Sequence, residues 1–185
     1  MILSNPVAAS MADHLVELRI PADLPYQLIY RMHRTALFNV PDRDDVEFRF
    51  VSSLPQLLPL ALPLRRVVTT SEWAKSLVRI NMGGRMFYCL LRNGVILHRG
   101  WVSVSFCNHY KVGPGDVVIG PIWSATGTRG QGLAKYATQR AINELIGRGL
   151  STFYIDTSAD NLACQKMIAN CDFGPAMGCT PRLPE

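Results

Sequence analysis

The chain has 185 residues, of which 48% are apolar, and a formal net charge of +5. This length suits one domain, or one domain with an extra arm, and the apolar content excludes a disordered chain. The basic excess fits an anionic small ligand, nucleic acid or an anionic membrane surface; its dispersal along the chain, with no aromatic-basic platform, argues against nucleic acid.

Five cysteines, Cys89, Cys107, Cys164, Cys171 and Cys179, form no C-x-x-C pair. The histidines are scattered. Neither a metal site nor a disulfide framework is expected, and the cysteines read as reduced thiols in a cytoplasmic protein. No apolar run approaches the roughly 18 residues of a spanning helix, and "MILSNPVAAS" lacks the basic start of a signal peptide.

Residues 1–45 read as an N-terminal arm. "VEFRFV" (46–51) alternates and is a predicted strand. "LPQLLPLALPLRR" (54–66) is apolar, but its prolines at 55, 59 and 63 argue against a regular helix. It reads as a loop packed on the core, or as a lid or membrane-contacting edge with Arg65 and Arg66 at lipid headgroups. "TTSEWAKSLVRINMGG" (69–84) is a predicted helix, with Thr70 or Ser71 as N-cap and Gly83 as stop. "RMFYCLL" and "VILHRGWVSVSF" flank Asn93-Gly94, a strong hairpin signal. "DVVIGPIW" (116–123) is a strand that Pro121 should interrupt or splay, because proline removes a ladder donor.

A glycine-rich turn, "TGTRGQG", then opens a helix in which Leu133, Ala137, Ala141 and Leu145 recur every four residues, with Ile142 and Ile146 widening the stripe. "STFYIDT" (151–157) is a strand and "NLACQKMIAN" (161–170) a short helix. The strand–helix–strand unit over 116–157 should be a right-handed parallel crossover, which with the hairpin makes the sheet mixed. The fold class is α/β.

Glycine turns that open helices hold phosphates through convergent backbone N–H groups. A P-loop fails here, because Leu133 and Ala134 stand where lysine and a hydroxyl are required. A dinucleotide fingerprint is met in part by Gly130 and Gly132, but Lys135 occupies its third glycine position. Arg129-Gly130-Gln131-Gly132-Leu133-Ala134 instead reads as an R-x-x-G-x-A turn suited to a pyrophosphate.

That turn resembles the acyl-CoA-binding turn of the GNAT superfamily of acyltransferases, whose pattern is Q/R-x-x-G-x-G/A. "VVIGPIW" resembles the family's splayed fourth strand, and "FYIDTSADNLACQKMIANCDF" its strand, asparagine, short helix and terminal phenylalanine. The resemblance covers roughly 46–175 and implies one GNAT-like N-acyltransferase domain over 1–185, with 46–115 as the N-terminal half carrying the hairpin and 116–175 as the acyl-CoA-binding half. It implies acetyl-CoA or another acyl-CoA as co-substrate, no metal, and a small amine as acceptor, with an amino sugar of surface polysaccharide synthesis one such class. Ile122, Trp123, Ser124, Arg129, Gly130, Gln131, Gly132, Leu133, Ala134 and Asn161 would contact the coenzyme, and Lys135 and Arg140 would add positive potential or simply form a solvated face.

For acid–base chemistry the candidates are Ser124, Asp156 and His98. Their plainer readings are a strand-end cap, a turn cap and a half-exposed strand histidine. Three departures stand out. The tyrosine that many members carry on the last helix falls on Ile168, Asp172 replaces a glycine, and the chain after Phe173 is too short for two ordinary closing strands. Either those strands are shortened or another segment completes the sheet, "HLVELRI" (14–20) or a partner subunit in a homodimer. Peripheral membrane contact, a non-catalytic acyl-CoA-binding module and a dinucleotide-binding Rossmann-like protein stay open as alternatives.

Overall fold

A computed structural model describes residues 26–181. "HLVELRI" (14–20) therefore lies outside the described residues. In chain order the elements are β1 (Tyr26–His33), β2 (Glu47–Val51), α1 (Leu54–Leu57), α2 (Ala61–Arg65), α3 (Thr70–Arg79), β3 (Arg85–Arg92), β4 (Val95–Val104), β5 (Val117–Ser124), α4 (Leu133–Ile146), β6 (Thr152–Ser158), α5 (Leu162–Ala169) and β7 (Gly178–Pro181). They fall into two compact units, 33–153 and 26–32 with 154–181.

In the larger unit β2, β3, β4 and β5 form an antiparallel run in that order. Asn93 and Gly94 turn β3 into β4 with φ of 52° and 73°, as the Asn-Gly pair predicts. Two irregularities break the ladder. Leu91 pairs with Ile96 but Leu90 pairs with His98, leaving Leu97 as an extra residue on β4. Val102 pairs with Ile119 but Gly100 pairs with Ile122, so Gly120 and Pro121 together face Trp101. The second is the interruption expected at Pro121.

One face of this sheet carries Phe87, Cys89, Leu91, Ile96 and Trp101, which join Leu57, Leu60, Leu64 and Ile80 in a single buried cluster. The segment 54–66 is thus neither an irregular loop nor one helix. It forms two short helices joined by a 3₁₀ turn at Leu58–Leu60. Pro55 and Pro59 sit at the starts of helical pieces, where a missing N–H costs nothing, and only Pro63 lies inside one. Leu57, Leu60 and Leu64 turn inward, while Leu58 and Leu62 stay exposed. The Trp73 indole N–H donates to the Ala61 carbonyl at 2.9 Å and ties α3 to α2. α3 is capped by Thr69, whose hydroxyl accepts from the Glu72 N–H at 3.2 Å, one residue earlier than expected, and ends at Arg79 rather than at Gly83.

The opposite face carries Tyr88, Leu90, His98 and Gly100, and α4 packs on β2, β3 and β4. The predicted stripe of α4 is buried at Leu133, Ala137, Ala141, Ile142 and Leu145. Tyr88 lies across the bare backbone of its pair partner Gly100, and its hydroxyl reaches Thr138 Oγ1 on α4 at 3.4 Å. A Cβ at Gly100 would stand 2.4 Å from Tyr88 Cζ and Oη.

In the smaller unit the strand order is β6, β1, β7, with β1 and β7 antiparallel from Tyr26↔Pro181 to Ile29↔Gly178. β1 was not expected. "YQLIYRMH" stands inside the segment that reads as an arm, yet it forms a strand beside β6, a place that the few residues after Phe173 cannot fill with two ordinary strands. β7 has 4 described residues, Gly178–Pro181. Asp172, standing where a glycine was expected, adopts φ 61°, a left-handed conformation that aspartate tolerates better than most residues. Ile168, Cys171 and Phe173 are buried with Leu28 and Ile155.

The Gly100→Ala protein should lose about 1–3 kcal/mol of stability, because the Tyr88 ring or the strand must shift to admit the methyl group. Chemical denaturation of G100A and of the double variant G100A/Y88F or G100A/Y88A checks this: truncating the ring should rescue the glycine substitution far better than removing the hydroxyl alone.

Candidate active site

The glycine turn begins with a 3₁₀ turn at Thr126–Thr128 and extended backbone at Arg129. Gly130 and Gly132 take φ of 80° and 73°. Gly132 is the N-cap of α4 in the left-handed region, and no side chain caps the helix. The first N–H groups of α4 have no intrahelical acceptor by geometry, so they converge with the positive end of the helix dipole on one place. Cβ atoms at Gly130 and Gly132 would meet nothing within 4 Å, so the space beside both is open. Arg129, Gly130, Gln131 and Gly132 are exposed, Ala134 is half-buried, and Leu133 is buried and anchors the helix start.

The turn is braced from the segment before β2. Arg43 donates through Nη1 to the Gln131 carbonyl at 3.1 Å and through Nε and Nη2 to Asp45 at 2.9 and 3.0 Å. Arg92 also donates to Asp45 Oδ2, at 2.5 Å. The Arg43 hydrogen bond, followed by that from Arg92, holds the Asp45 carboxyl down at about 2. Sequence reasoning missed this brace; two charged residues in a polar stretch carry no signal of a partner 88 residues away. Arg140 is neither a free phosphate-side charge nor part of a bare solvated face: it pairs with Asp42 at 2.6 Å and lies over Phe48 and Tyr136.

Just upstream, β5 brings Ile122, Trp123 and Ser124 to the turn. His98 and Ser124 are register partners, and His98 Nδ1 lies 2.8 Å from Ser124 Oγ. The two sequence candidates are therefore one hydrogen-bonded pair. His98 is 0% exposed, so the half-exposed reading is wrong. The bulge at Leu97 turns it onto the α4 face, under the helix and 5.9 Å from the Tyr88 ring. Burial, and secondarily Arg99, push its pKa down to about 3, so the imidazole is neutral. Its Nε2 is buried with no hydrogen-bond partner among the described residues. Trp123 faces the other way, against the buried cluster of α1–α3.

Asp156 and Asn161 lie in the smaller unit. Asp156 is half-buried within β6, which continues to Ser158. Asn161 is the N-cap of α5, its Oδ1 accepting from the Cys164 N–H at 3.1 Å. Burial pushes the Cys164 thiol up; a hydrogen bond with Thr157 opposes this and Asp156 adds to it. Tyr30, on the unforeseen β1, is buried nearby with its hydroxyl unpartnered among the described residues, and burial, then Cys164, raise its pKa to about 12.

All five cysteines are free thiols. Among the described residues no cluster of three or more His, Cys, Asp or Glu is placed to hold a metal, and no helix is long and apolar enough to cross a membrane.

The model of the acetyltransferase (GNAT) family matches residues 57–173. No curated protein sequence matches the chain. Among solved structures, a GNAT-family acetyltransferase from Colwellia psychrerythraea superposes with a TM-score of 0.60 at 20% identity, over 93% of this chain and 60% of that one. A GCN5-related N-acetyltransferase from Sphaerobacter thermophilus gives 0.63 at 13% identity, over 92% of this chain and 54% of that one. This chain thus spans little more than half the length of both. The aminoglycoside N-acetyltransferase AAC(6')-Iy in complex with CoA gives 0.56 at 17% identity, over 79% of this chain and 96% of that one. At such identities the superpositions speak for the fold, a mixed sheet with flanking helices. The family model, matched from α1 through the glycine turn to Phe173, goes further: the chain belongs to the GNAT acetyltransferase family.

Proposed function

We propose that the chain is an acyl-CoA-dependent N-acyltransferase that moves an acyl group, acetyl first among candidates, directly to an amine of a small molecule. The observation that carries this is the uncapped start of α4, with Gly130 and Gly132 in left-handed conformations and open space beside both. A pyrophosphate fits such a cradle, since backbone N–H groups face it and no side chain fills it. Arg129 adds charge at the same turn. The GNAT fold removes the support for a Rossmann-like dinucleotide site. The CoA complex of AAC(6')-Iy supports coenzyme A as the ligand class, and its aminoglycoside acceptors keep an amino sugar among the acceptors to test.

The thioester supplies an activated carbonyl. The amine nitrogen bonds to the carbonyl carbon, the carbon–sulfur bond breaks, and the amine proton leaves to the thiolate or to solvent. The Ile122 N–H is the candidate donor to the carbonyl oxygen as negative charge develops there. Ser124 is the candidate for moving the proton. Its hydroxyl is oriented by neutral His98, which at pKa about 3 acts as a fixed hydrogen-bond partner and does not store a proton. Much of the acceleration would come from holding amine and thioester together. Asn161, in the smaller unit, keeps the coenzyme contact that the family resemblance implies, and Asp156 stays a candidate for orienting an amine.

A second reading, a coenzyme-binding module without turnover, is favoured by one observation. Ile168, at the position of the family's tyrosine, is 0% exposed and belongs to the core. Turnover of acetyl-CoA with any amine excludes it.

Calorimetric titration with acetyl-CoA and CoA should show saturable binding, and Gly132→Glu should abolish it through bulk, backbone strain and charge. A folded G132E that binds like wild type would move the site elsewhere. Ser124→Ala should lower kcat on the order of 100-fold with little change in CoA affinity, the size expected of a proton-transfer group; steady-state kinetics beside the calorimetry separates the two. His98 also sets an acid limit. Its folded pKa lies below the ordinary 6.5 of an exposed imidazole, so the unfolded chain binds more protons between those values and stability falls as pH drops from about 6.5 toward 3. Urea denaturation at stepped pH should show that slope, and it should flatten in His98→Gln.

A further inference from the structure

Three arginines on the α3 side of the larger unit have no role in the chemistry above. Arg99 and Trp101 occupy alternate positions of β4 and so share a face, as does Ser103. Arg79, at the end of α3, lies over the Trp101 ring at 5.1 Å. Arg99 lies over Trp123 of β5 at 5.6 Å. Arg85 lies over Phe106 at 4.6 Å and donates to Ser103 Oγ. Trp101 is thus covered by one guanidinium and flanked along its strand by a second and by the hydroxyl that holds a third.

These charges repel one another. Burial, followed by Arg79, pushes the Arg85 guanidinium below its usual range; burial first, with Arg79 adding and Glu72 opposing, does the same to Arg99. Among the described residues none of the three has a carboxylate within ion-pair distance, whereas Arg43, Arg49, Arg92 and Arg140 all do. Arg99 Nε is buried without a hydrogen-bond partner. Each of the three arginines is half-buried, with its guanidinium over an aromatic ring. Arginines that lie over aromatic rings and have no carboxylate partner keep donors of their planar forks for an oxyanion. Along the strands the place adjoins the candidate chemistry, on the opposite face of the sheet: Arg99 pairs with Trp123, between Ile122 and Ser124.

We infer that Arg79, Arg85 and Arg99 form an anion-binding subsite that holds a phosphate or carboxylate group of the acceptor, so that the acceptor is an anionic amine. The inference rests on the acyl-transfer reading for the word acceptor, and on the arginine–aromatic geometry alone for the anion site. An amino sugar phosphate and an amino acid share the required chemistry.

Tryptophan fluorescence reads the site without any coenzyme, since Trp101 and Trp123 lie under two of the guanidiniums. Titration with inorganic phosphate and with acetate, at ionic strength held constant with chloride, should give a saturable change for at least one. The apparent affinity should fall at least tenfold in Arg99→Gln and in Arg79→Gln, and less in Arg99→Lys, with circular dichroism confirming that each variant is folded. A response no different from that of chloride, or one unchanged in both glutamine variants, overturns the inference. In turnover, glucosamine 6-phosphate against glucosamine, and an amino acid against its amide, distinguish the two sources. One anionic member should exceed its neutral partner at least tenfold in kcat/KM, and R99Q should bring that ratio near one while CoA affinity stays unchanged. Neutral amines used as well as both anionic ones also overturn it. Saturable, arginine-dependent phosphate binding in a protein that binds no CoA would sink the acyl-transfer reading and leave the anion site standing.

Discussion

Two extra residues in the β3–β4–β5 ladder decide which side chains can meet. Strand side chains alternate, so one inserted residue moves everything beyond it to the other face. Without the bulge at Leu97, His98 would face the buried cluster beside Cys89 instead of lying under α4 beside Tyr88. Without the extra residue at Gly120–Pro121, Trp123 would share the face of His98 and Ser124 would point away from it. Both insertions are needed for the 2.8 Å contact between His98 and Ser124. The missing N–H of Pro121 explains why the second sits where it does, because a ladder loses least when its unpaired position is a residue with no hydrogen to donate.

The glycine turn depends on a different kind of support. A helix start with no capping side chain and two left-handed glycines has little to hold it from within. Its fixity comes from α4, whose apolar stripe is buried on the sheet, and from Arg43, which grips the Gln131 carbonyl while Asp45 fixes the guanidinium. Asn143 adds a second tie to the same region, its amide accepting from the Phe38 N–H at 2.8 Å and donating to the Phe38 carbonyl at 2.9 Å. The backbone donors of the turn stay unobstructed because the rigidity is supplied from behind.

This division explains what was legible in the sequence. Patterns with a local cause came through: the Asn93-Gly94 hairpin, the interruption at Pro121 and the four-residue stripe of α4. Features set by partners far along the chain did not. "YQLIYRMH" has the apolar alternation of a strand, but its partners are β7, some 150 residues on, and β6, so nothing nearby marks it. "VILHRGWV" reads as one regular strand because neither neighbour of Leu97 is a glycine or proline that would announce the bulge there, and that bulge buries His98. In 54–66 the prolines did exclude a single helix, but they also begin short helical pieces, which lets Leu57, Leu60 and Leu64 reach the core at near-helical spacing. The glycine turn was read from its own residues, the brace behind it was not, and the pairing of His98 with Ser124 required a register that composition does not encode.

The same alternation gives the β4–β5 pair two chemically unlike sides. On one, His98 and Ser124 meet under α4, uncharged, with the imidazole dehydrated enough to stay neutral. On the other, their chain neighbours Arg99 and Trp123 meet, cation on ring, beside Arg79. A neutral His–Ser pair and a cationic cluster would interfere if they shared a face, since nearby positive charge and burial both depress an imidazole further. Arg99 already contributes to that depression from across the strand. Separating them by the thickness of one sheet keeps the arginine charge away from the neutral His98–Ser124 pair. A one-residue slip at Gly120–Pro121 would put Ser124 among the arginines and Trp123 beneath α4, reversing the two sides without changing a single residue.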